Sequence, residues 1–559
     1  MDLPKYVVGE TTIGQLVDVV AEQFGGKRAL IYPKLGIDLT YSQFRDTCNE
    51  IARAFMALGI QKGEHIAIWA NNVPEWVLTQ FATGKMGAVL VTVNTNYRSF
   101  ELEYLLRQSD STTLLMIGGV RERDEYLKVV QEICPELDRC EPGKLHSERV
   151  PLLKNVIFLG QEKHPGMFTW DEVMQLAGRV SDAELASRQA SLDPDDVINM
   201  QYTSGTTGFP KGVQLTHTNL IGNAKSIGEC MQLSSKDTLC IPVPFFHCFG
   251  CVLGTLTCVV SAAAMAPVVS FHPVDVLETV EAAKCTALHG VPTMFIAELE
   301  EMKNRHYDTS HLRTGIMAGA PCPIEVMKQV ISEMGATEMC ITYGQTEASP
   351  GITMTRTTDS LERKVATVGK ALPNVDVKII NTSTGEPVPP GVQGELCTRG
   401  YHVMKGYYKN PEGTAAAIDK DGWLHTGDLA VMDEEGYCKI TGRIKDMIIR
   451  GGENIYPREI EEFLYTHPLI KDVQVVGVPS RKYGEEVAAY VQLKNGSTVT
   501  ADEIKAFCKD KISFHKIPAY FFFVQEYPTT ASGKIQKYKL RQQATVDLNR
   551  EEDARIETA

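Results

Sequence analysis

The densest concentration of reactive residue types is Tyr202-Thr-Ser-Gly-Thr-Thr-Gly-Phe-Pro-Lys-Gly212. A loop so rich in Gly, Ser and Thr, ending on a lysine, offers backbone N–H groups, hydroxyls and one fixed cation, the donor set that holds a polyphosphate. It is not a Walker A loop. Counted from Gly205, that motif needs Gly before the lysine and Ser or Thr after it, whereas Lys211 lies between Pro210 and Gly212. A flexible surface turn is the plainer reading, and the lysine closing so much turn chemistry argues against it. Downstream, Tyr343-Gly-Gln-Thr-Glu347 follows an apolar strand, Met339-Cys-Ile-Thr. A planar aromatic can stack on adenine, a hydroxyl can reach a phosphate oxygen, and a carboxylate can hold Mg²⁺ as a hard oxygen ligand. Taken alone, such a string also caps helices.

The loop at 202–212 resembles the phosphate-binding loop of the adenylate-forming (AMP-binding) superfamily, which includes acyl-CoA synthetases, peptide-synthetase adenylation domains and firefly luciferase. Four further segments occur in the family's order, and the likeness covers nearly the whole chain. It implies that Thr203, Ser204, Gly205, Thr206, Thr207, Gly208 and Lys211 meet the phosphates of ATP. It gives Tyr343, Gly344 and Gln345 to the nucleotide, Thr346 to a phosphate oxygen and Glu347 to Mg²⁺, and it makes Gly319-Ala320-Pro321 the close-approach turn beside the adenine and the acyl chain. Trp423-Leu-His-Thr-Gly-Asp428 is similar to the segment whose aspartate accepts hydrogen bonds from the ribose, a task suited to a carboxylate with its several lone pairs. Arg443 joins Asp428 there by resemblance. Lys445 takes the hinge position; without that context it reads as a solvated charge.

Pro528-Thr-Thr-Ala-Ser-Gly-Lys534 resembles the loop that inserts the family's catalytic lysine. When a carboxylate attacks the α-phosphorus, charge builds on the phosphoryl and bridging oxygens, and an ammonium delivered there stabilises it. The bland alternative is a basic surface patch, since Lys537 and Lys539 follow. His247, in Pro244-Phe-Phe-His-Cys-Phe-Gly250, matches the family's aromatic–His position and is expected to orient the acid or gate its pocket; outside that context it reads as a satisfied core histidine. Gly452 lies in the stretch Gly451 to Pro457 that resembles the lining of the coenzyme A tunnel, and His289 to Phe295 resembles an acyl-tunnel segment.

These residues require a particular scaffold. Short apolar bursts (Ala67-Ile-Trp, Gly87 to Val93, Thr113 to Ile117, Asn155 to Leu159) alternate with helical patterns at Tyr41 to Leu58 and Phe100 to Gln108, which implies βαβ units. The expected fold is α/β: a large N-terminal domain with helix-covered sheets and a β-rich subdomain from Val375, plus a small mobile α+β C-terminal domain. The boundaries read as 1–442 for the AMP-binding and acyl-binding domain, 443–446 for the hinge, and 447–559 for the domain carrying Lys534. Gly413, in Asn410-Pro-Glu-Gly-Thr, stands where the family usually has Ala and is expected to loosen a helix start.

Bulk properties narrow the partners. Lys plus Arg total 56 against 70 Asp plus Glu, a net charge of −14, the wrong sign for gripping a phosphate backbone, so nucleic acid is excluded as an expectation. Fourteen scattered cysteines fit thiols of a reducing compartment, and Cys248 and Cys251 read as core thiols. No basic-then-apolar leader or Arg-rich amphipathic opening is visible, so a cytoplasmic location is expected. From Asp237 to Asp275 no charge intervenes, and Phe245 to Ala266 could match the roughly 20 residues of a membrane span. Interrupting Gly, Thr, Ser and His, and flanks without Lys/Arg asymmetry, point instead to buried core. The resemblance thus implies an AMP-forming acyl-CoA synthetase acting on a carboxylic acid, ATP and CoA, nearest in texture to the short- and medium-chain fatty-acyl group. Rivals are an aromatic- or branched-acid ligase, a loader of carrier proteins, a luciferase-type oxygenase and a scaffold that has lost catalysis. A homodimer is compatible with the sequence, which does not fix oligomeric state.

Overall fold

The computed structural model describes residues 3–120, 125–203, 210–319, 322–450, 453–509, 511–512, 514–530 and 535–553. Contacts group the chain into two units, Met1–Val377 with Thr398–Leu424, and Lys378–Cys397 with His425–Ala559. The first unit holds two large sheets. In one, the parallel strands Ala264–Pro267, Thr238–Ile241, Ala287–Gly290, Thr314–Met317 and Glu338–Gly344 lie side by side in that order. In the other, Val197–Thr203, Val89–Thr92, His65–Trp69, Ser111–Met116 and Asn155–Phe158 run parallel, while Lys211–Thr216 turns back antiparallel on Val197–Thr203.

The apolar bursts become strands because helices cover both faces. Val89–Thr92 is buried at every position, the signature of a parallel strand with no solvent face. The helix Tyr41–Ala57 starts at a capping box, with Thr40 Oγ1 accepting from the Gln43 N–H at 3.3 Å and the Gln43 side chain returning to the Thr40 N–H at 2.9 Å. Its buried edge sets Phe44 against Phe81, ring centroids 5.2 Å apart. The α/β expectation holds.

The uncharged stretch is interior. Cys248–Gly250, a π-helical turn at Cys251–Leu256 and Thr257–Ser261 are buried throughout. A π turn displaces the ordinary i→i+4 bonds, so its carbonyls need other donors. Gln80 Nε2 donates to Cys251 O at 2.7 Å and His289 Nε2 to Leu253 O at 2.9 Å. The Gln201 amide donates to Cys251 Sγ at 3.0 Å, which makes that cysteine a core thiol as expected. All fourteen cysteines are free thiols, and all but Cys140 and Cys322 are buried. No described helix is long and apolar enough to cross a membrane.

Strands at Val375–Ile380, Gly394–Gly400, Leu424–Met432 and Cys438–Arg443 form the expected β-rich sheet. The segment read as a hinge is a 3₁₀ turn, Ile444–Asp446, between strands Cys438–Arg443 and Ile448–Arg450. Farther on, the antiparallel pair Ile470–Ser480 and Gly484–Leu493 packs with helices Pro457–Leu464 and Ala501–Cys508. Gly413 sits in helix Pro411–Ala417, where the Asn410 side chain caps its N–H at 2.7 Å. A Cβ there would approach the Asn410 side-chain amide to 2.6 Å, so that cap would have to shift to accommodate one.

One buried group is costly. Glu298, on helix Pro292–Met302, is fully buried, and neither carboxyl oxygen has a hydrogen-bond partner. Burial pushes its pKa up from 4.5 to about 8, so the folded chain retains a proton that the unfolded chain has released. Stability from this group is therefore full below about pH 4.5 and is lost as pH rises through 8. Glu298→Gln should raise the thermal unfolding midpoint relative to wild type, and the gap should widen between about pH 5 and pH 8. A gap independent of pH would contradict this burial account.

Candidate active site

Burial fades toward the C-terminal ends of strands Val197–Thr203 and Glu338–Gly344, and several of the sequence-predicted residues follow the ends of parallel strands. Glu338–Gly344 is buried at Met339, Cys340 and Ile341, and partly exposed from Thr342 through Gly344; Gln345, Thr346 and Glu347 follow, half-buried. Gly319 follows strand Thr314–Met317, and His247 follows Thr238–Ile241. Ligands of open α/β sheets gather at such strand ends. Gly319 has φ +86°, a left-handed conformation that glycine adopts without a Cβ penalty. At Gly344 a Cβ would fall 1.8 Å from Pro350 O, so no side chain fits where the chain turns toward Glu347. That turn is braced by Asn223, whose amide accepts from the Gly351 N–H at 3.0 Å and donates to Gly351 O at 2.8 Å.

Both feet of the glycine-rich loop are anchored by helix Ser99–Gln108. The Tyr104 hydroxyl donates to Pro210 O at 3.1 Å, and the Tyr202 hydroxyl donates to Gln108 Oε1. Thr203 and Lys211 face one another in register across the two strands. Ser204, Gly205, Thr206, Thr207 and Gly208 lie outside the described residues, as do Ala320, Pro321, Gly452 and Lys534.

Lys211 and Glu347 are joined by a residue that sequence reasoning missed. Tyr407 sits in the two-residue strand Gly406–Tyr407, paired antiparallel with Lys211–Thr216 in the register Tyr407 to Val213. Its hydroxyl donates to Glu347 Oε1 at 2.8 Å, and Lys211 Nζ lies 4.7 Å from the centroid of its ring. Burial, then the Glu347 charge, push the phenol far above its ordinary pKa, so it remains a donor. The Met404 N–H to Glu347 O bond, 2.9 Å, ties the same segment to the acidic turn. Nothing in the local spacing announces Tyr407, which lies 60 positions from Glu347; the partner appears only when the two sheets are in place.

His247 caps the short helical turn after it, its Nδ1 accepting from the Phe249 N–H at 3.2 Å. The Asp428 carboxylate, almost fully buried, pairs with Arg443 Nε at 3.0 Å, in the antiparallel register Asp428 to Arg443. Sequence reasoning put these two side chains together, and they are. Lys445 is exposed within the 3₁₀ turn. On either side of the segment holding Lys534, Thr529 bridges Ile535 and the Gln536 N–H donates to Pro528 O at 2.8 Å. Lys537 is committed to Glu461, 2.5 Å away, and to Val475 O, which removes it from the surface patch considered as the bland alternative.

Known proteins resemble this chain along nearly its whole length. The family model described as AMP-binding enzyme matches residues 17–408, and that described as AMP-binding enzyme C-terminal domain matches 459–534. The chain is 60% identical over 538 residues to YngI of Bacillus subtilis (strain 168), described as an acyl-CoA synthetase, covering 96% of this chain and 98% of that protein. It is 41% identical over 541 residues to the mouse mitochondrial medium-chain acyl-CoA ligase ACSF2, covering 95% and 87%. Among solved structures, ATP-bound MatB from Rhodopseudomonas palustris superposes with a TM-score of 0.82 at 26% identity, over 96% of this chain and 100% of that one. The chain belongs to the AMP-binding enzyme family. Within it, the protein is an acid–thiol ligase of the AMP-forming acyl-CoA synthetase class.

Tyr407→Phe removes the hydroxyl and keeps the ring. A hydrogen bond to a charged group contributes about 1.5–3 kcal/mol, so the rate of ATP-dependent acyl activation should fall roughly 10- to 100-fold, with a raised Mg²⁺ requirement and an unchanged fold by circular dichroism. An unaltered Mg²⁺ titration would remove Tyr407 from the site.

Proposed function

We propose that this ligase activates a fatty acid of short to medium chain length, converting acid, ATP and CoA to acyl-CoA, AMP and pyrophosphate through an acyl adenylate. The observation that carries the reading is the Lys211–Tyr407–Glu347 contact, which fixes a cation and a carboxylate side by side at the mouth of the glycine-rich loop. Lys211, Thr203 and the loop between them, residues 204–208 included, bind the ATP phosphates. Tyr343 stacks on adenine beside Gly344, Gln345 and the Gly319 to Pro321 turn, and Thr346 donates to a phosphate oxygen. Asp428, oriented by Arg443, accepts from the ribose hydroxyls; an anion with several lone pairs suits a diol.

Glu347 offers hard oxygen donors that fit Mg²⁺, with one carboxylate oxygen occupied by Tyr407 and the other left to a metal. Bound there, Mg²⁺ would offset the charge of the polyphosphate. His247 positions the acid, and the neighbouring segment from His289 to Phe295 lines the acyl tunnel. Residues 1–442 act as the AMP-binding and acyl-binding domain and 447–559 as a mobile domain that turns about 443–446. In adenylation Lys534 bears on the developing phosphoryl charge. Rotation about Lys445 then withdraws it and brings Gly452 and its neighbours to the adenylate for attack by the CoA thiol.

The fatty-acid assignment follows the whole-chain texture and the medium-chain ligase among the relatives. Carboxylate-dependent exchange of labelled pyrophosphate into ATP, followed by CoA-dependent AMP release, is expected, with straight-chain acids of medium length the best substrates in a screened series. Exchange without thioester formation would instead indicate a carrier-protein loader, and no exchange with any acid a scaffold. Lys534→Ala should lower exchange by about 10²–10³-fold or more while largely sparing thioester formation from supplied acyl adenylate. Equal loss in both halves would show that Lys534 does not act in adenylation alone.

A further inference from the structure

Three side chains outside the machinery assigned so far meet on one face of a strand pair. Glu395 and Cys397, two positions apart in strand Gly394–Gly400, point to the same side of the sheet, as i and i+2 residues must. His425 comes from the adjacent strand Leu424–Met432. His425 Nδ1 lies 3.0 Å from Glu395 Oε2 and 3.6 Å from Cys397 Sγ, and the three ligating atoms all fall within 4.8 Å of one another.

We propose that Glu395, Cys397 and His425, the three candidate ligands among the described residues, form a site for a zinc-like divalent cation. Tetrahedral zinc, at about 2.0–2.3 Å from its ligands, separates N from O by roughly 3.3 Å and N from S by roughly 3.6 Å, close to the distances in place. A thiolate, an imidazole and a carboxylate together favour zinc over magnesium or calcium, which take oxygen. The carboxylate is already aimed: Glu395 Oε1 accepts from the Gly427 N–H at 3.0 Å, an outer hydrogen bond that leaves Oε2 toward the imidazole. The strands are tied at the same point by the Thr426 hydroxyl donating to Leu396 O at 2.6 Å. Cys397 is buried, while the His425 side chain keeps 31% of its exposure, giving the ion a way in. Binding replaces the thiol proton and takes up the Nδ1 lone pair, so it competes with protons for the same atoms. The plain alternative is a histidine–glutamate pair beside a core thiol, binding no metal.

The test uses the full chain, stripped with chelator, desalted and titrated with ZnCl₂ against a chromophoric zinc indicator. One equivalent should bind with submicromolar affinity, and Cys397→Ser and His425→Asn should each weaken that step by at least about tenfold. Co²⁺ in place of Zn²⁺ should give a thiolate-to-metal charge-transfer band in wild type that is absent from Cys397→Ser. Thermal unfolding without metal checks that the variants fold. Absence of a stoichiometric step, absence of the cobalt band in wild type, or a folded His425→Asn with wild-type zinc affinity would each overturn the site. None of these readouts depends on ligase activity, so they stand apart from the functional reading above.

Discussion

A lysine and a glutamate proposed to serve one polyphosphate face a shared difficulty: brought together unscreened they would neutralise one another, and held apart by flexible loops they would not be pre-aligned. Tyr407 resolves it with its two ends. Its hydroxyl occupies one oxygen of Glu347, and its ring lies beneath the Lys211 ammonium, so both charges are held without touching. A cation over an aromatic face gains about 0.5–1 kcal/mol where exposed and more when desolvated. The hydrogen bond to a charged acceptor is stronger still, so loss of the hydroxyl is expected to matter more than loss of the ring contact.

Much of the surrounding structure keeps that contact in place. The strand Gly406–Tyr407 is added to the edge of Lys211–Thr216, so the register of the loop hairpin fixes where the tyrosine points. The Tyr408 N–H to Gly212 O bond, 2.8 Å, and the Lys405 N–H to Gln214 O bond, 3.0 Å, continue the ladder on either side. On the opposite flank, buried Asn223 fastens the turn after Glu347, and His289, neutral with its pKa lowered by burial to about 4, joins Leu253 O to the Ile316 N–H at 3.2 Å. These buried polar residues cost desolvation unless fully paired, and their pairing ties strand ends to one another.

Sequence made the strands legible because helices bury both faces of a parallel sheet, turning Val89–Thr92 or Ile66–Trp69 into uninterrupted apolar runs. The loop feet, the Tyr343 to Glu347 turn and the Asp428–Arg443 pair were legible because glycine, hydroxyl and charge stand together within short segments. Tyr407 was not, since a strand of two residues carries no periodicity and its partner is remote in the chain. The π turn was also hidden. In the sequence Thr255 reads as a polar interruption and His289 as tunnel lining, whereas their hydrogen bonds to Cys251 O and Leu253 O complete the unusual backbone. Glu298, in a helix whose buried edge also carries Phe295 and Leu299, looks like any helical glutamate until its surroundings are known.

On the function proposed above, one nucleotide is held by residues far apart in sequence. The most direct test is a crystal structure with a non-hydrolysable acyl-adenylate analogue such as an acyl sulfamoyl adenosine. The account predicts adenine against Tyr343, the ribose hydroxyls on Asp428, and the sulfamate within hydrogen-bonding reach of Thr346. An analogue bound away from Tyr343 and Thr346, or a ribose with no contact to Asp428, would contradict it.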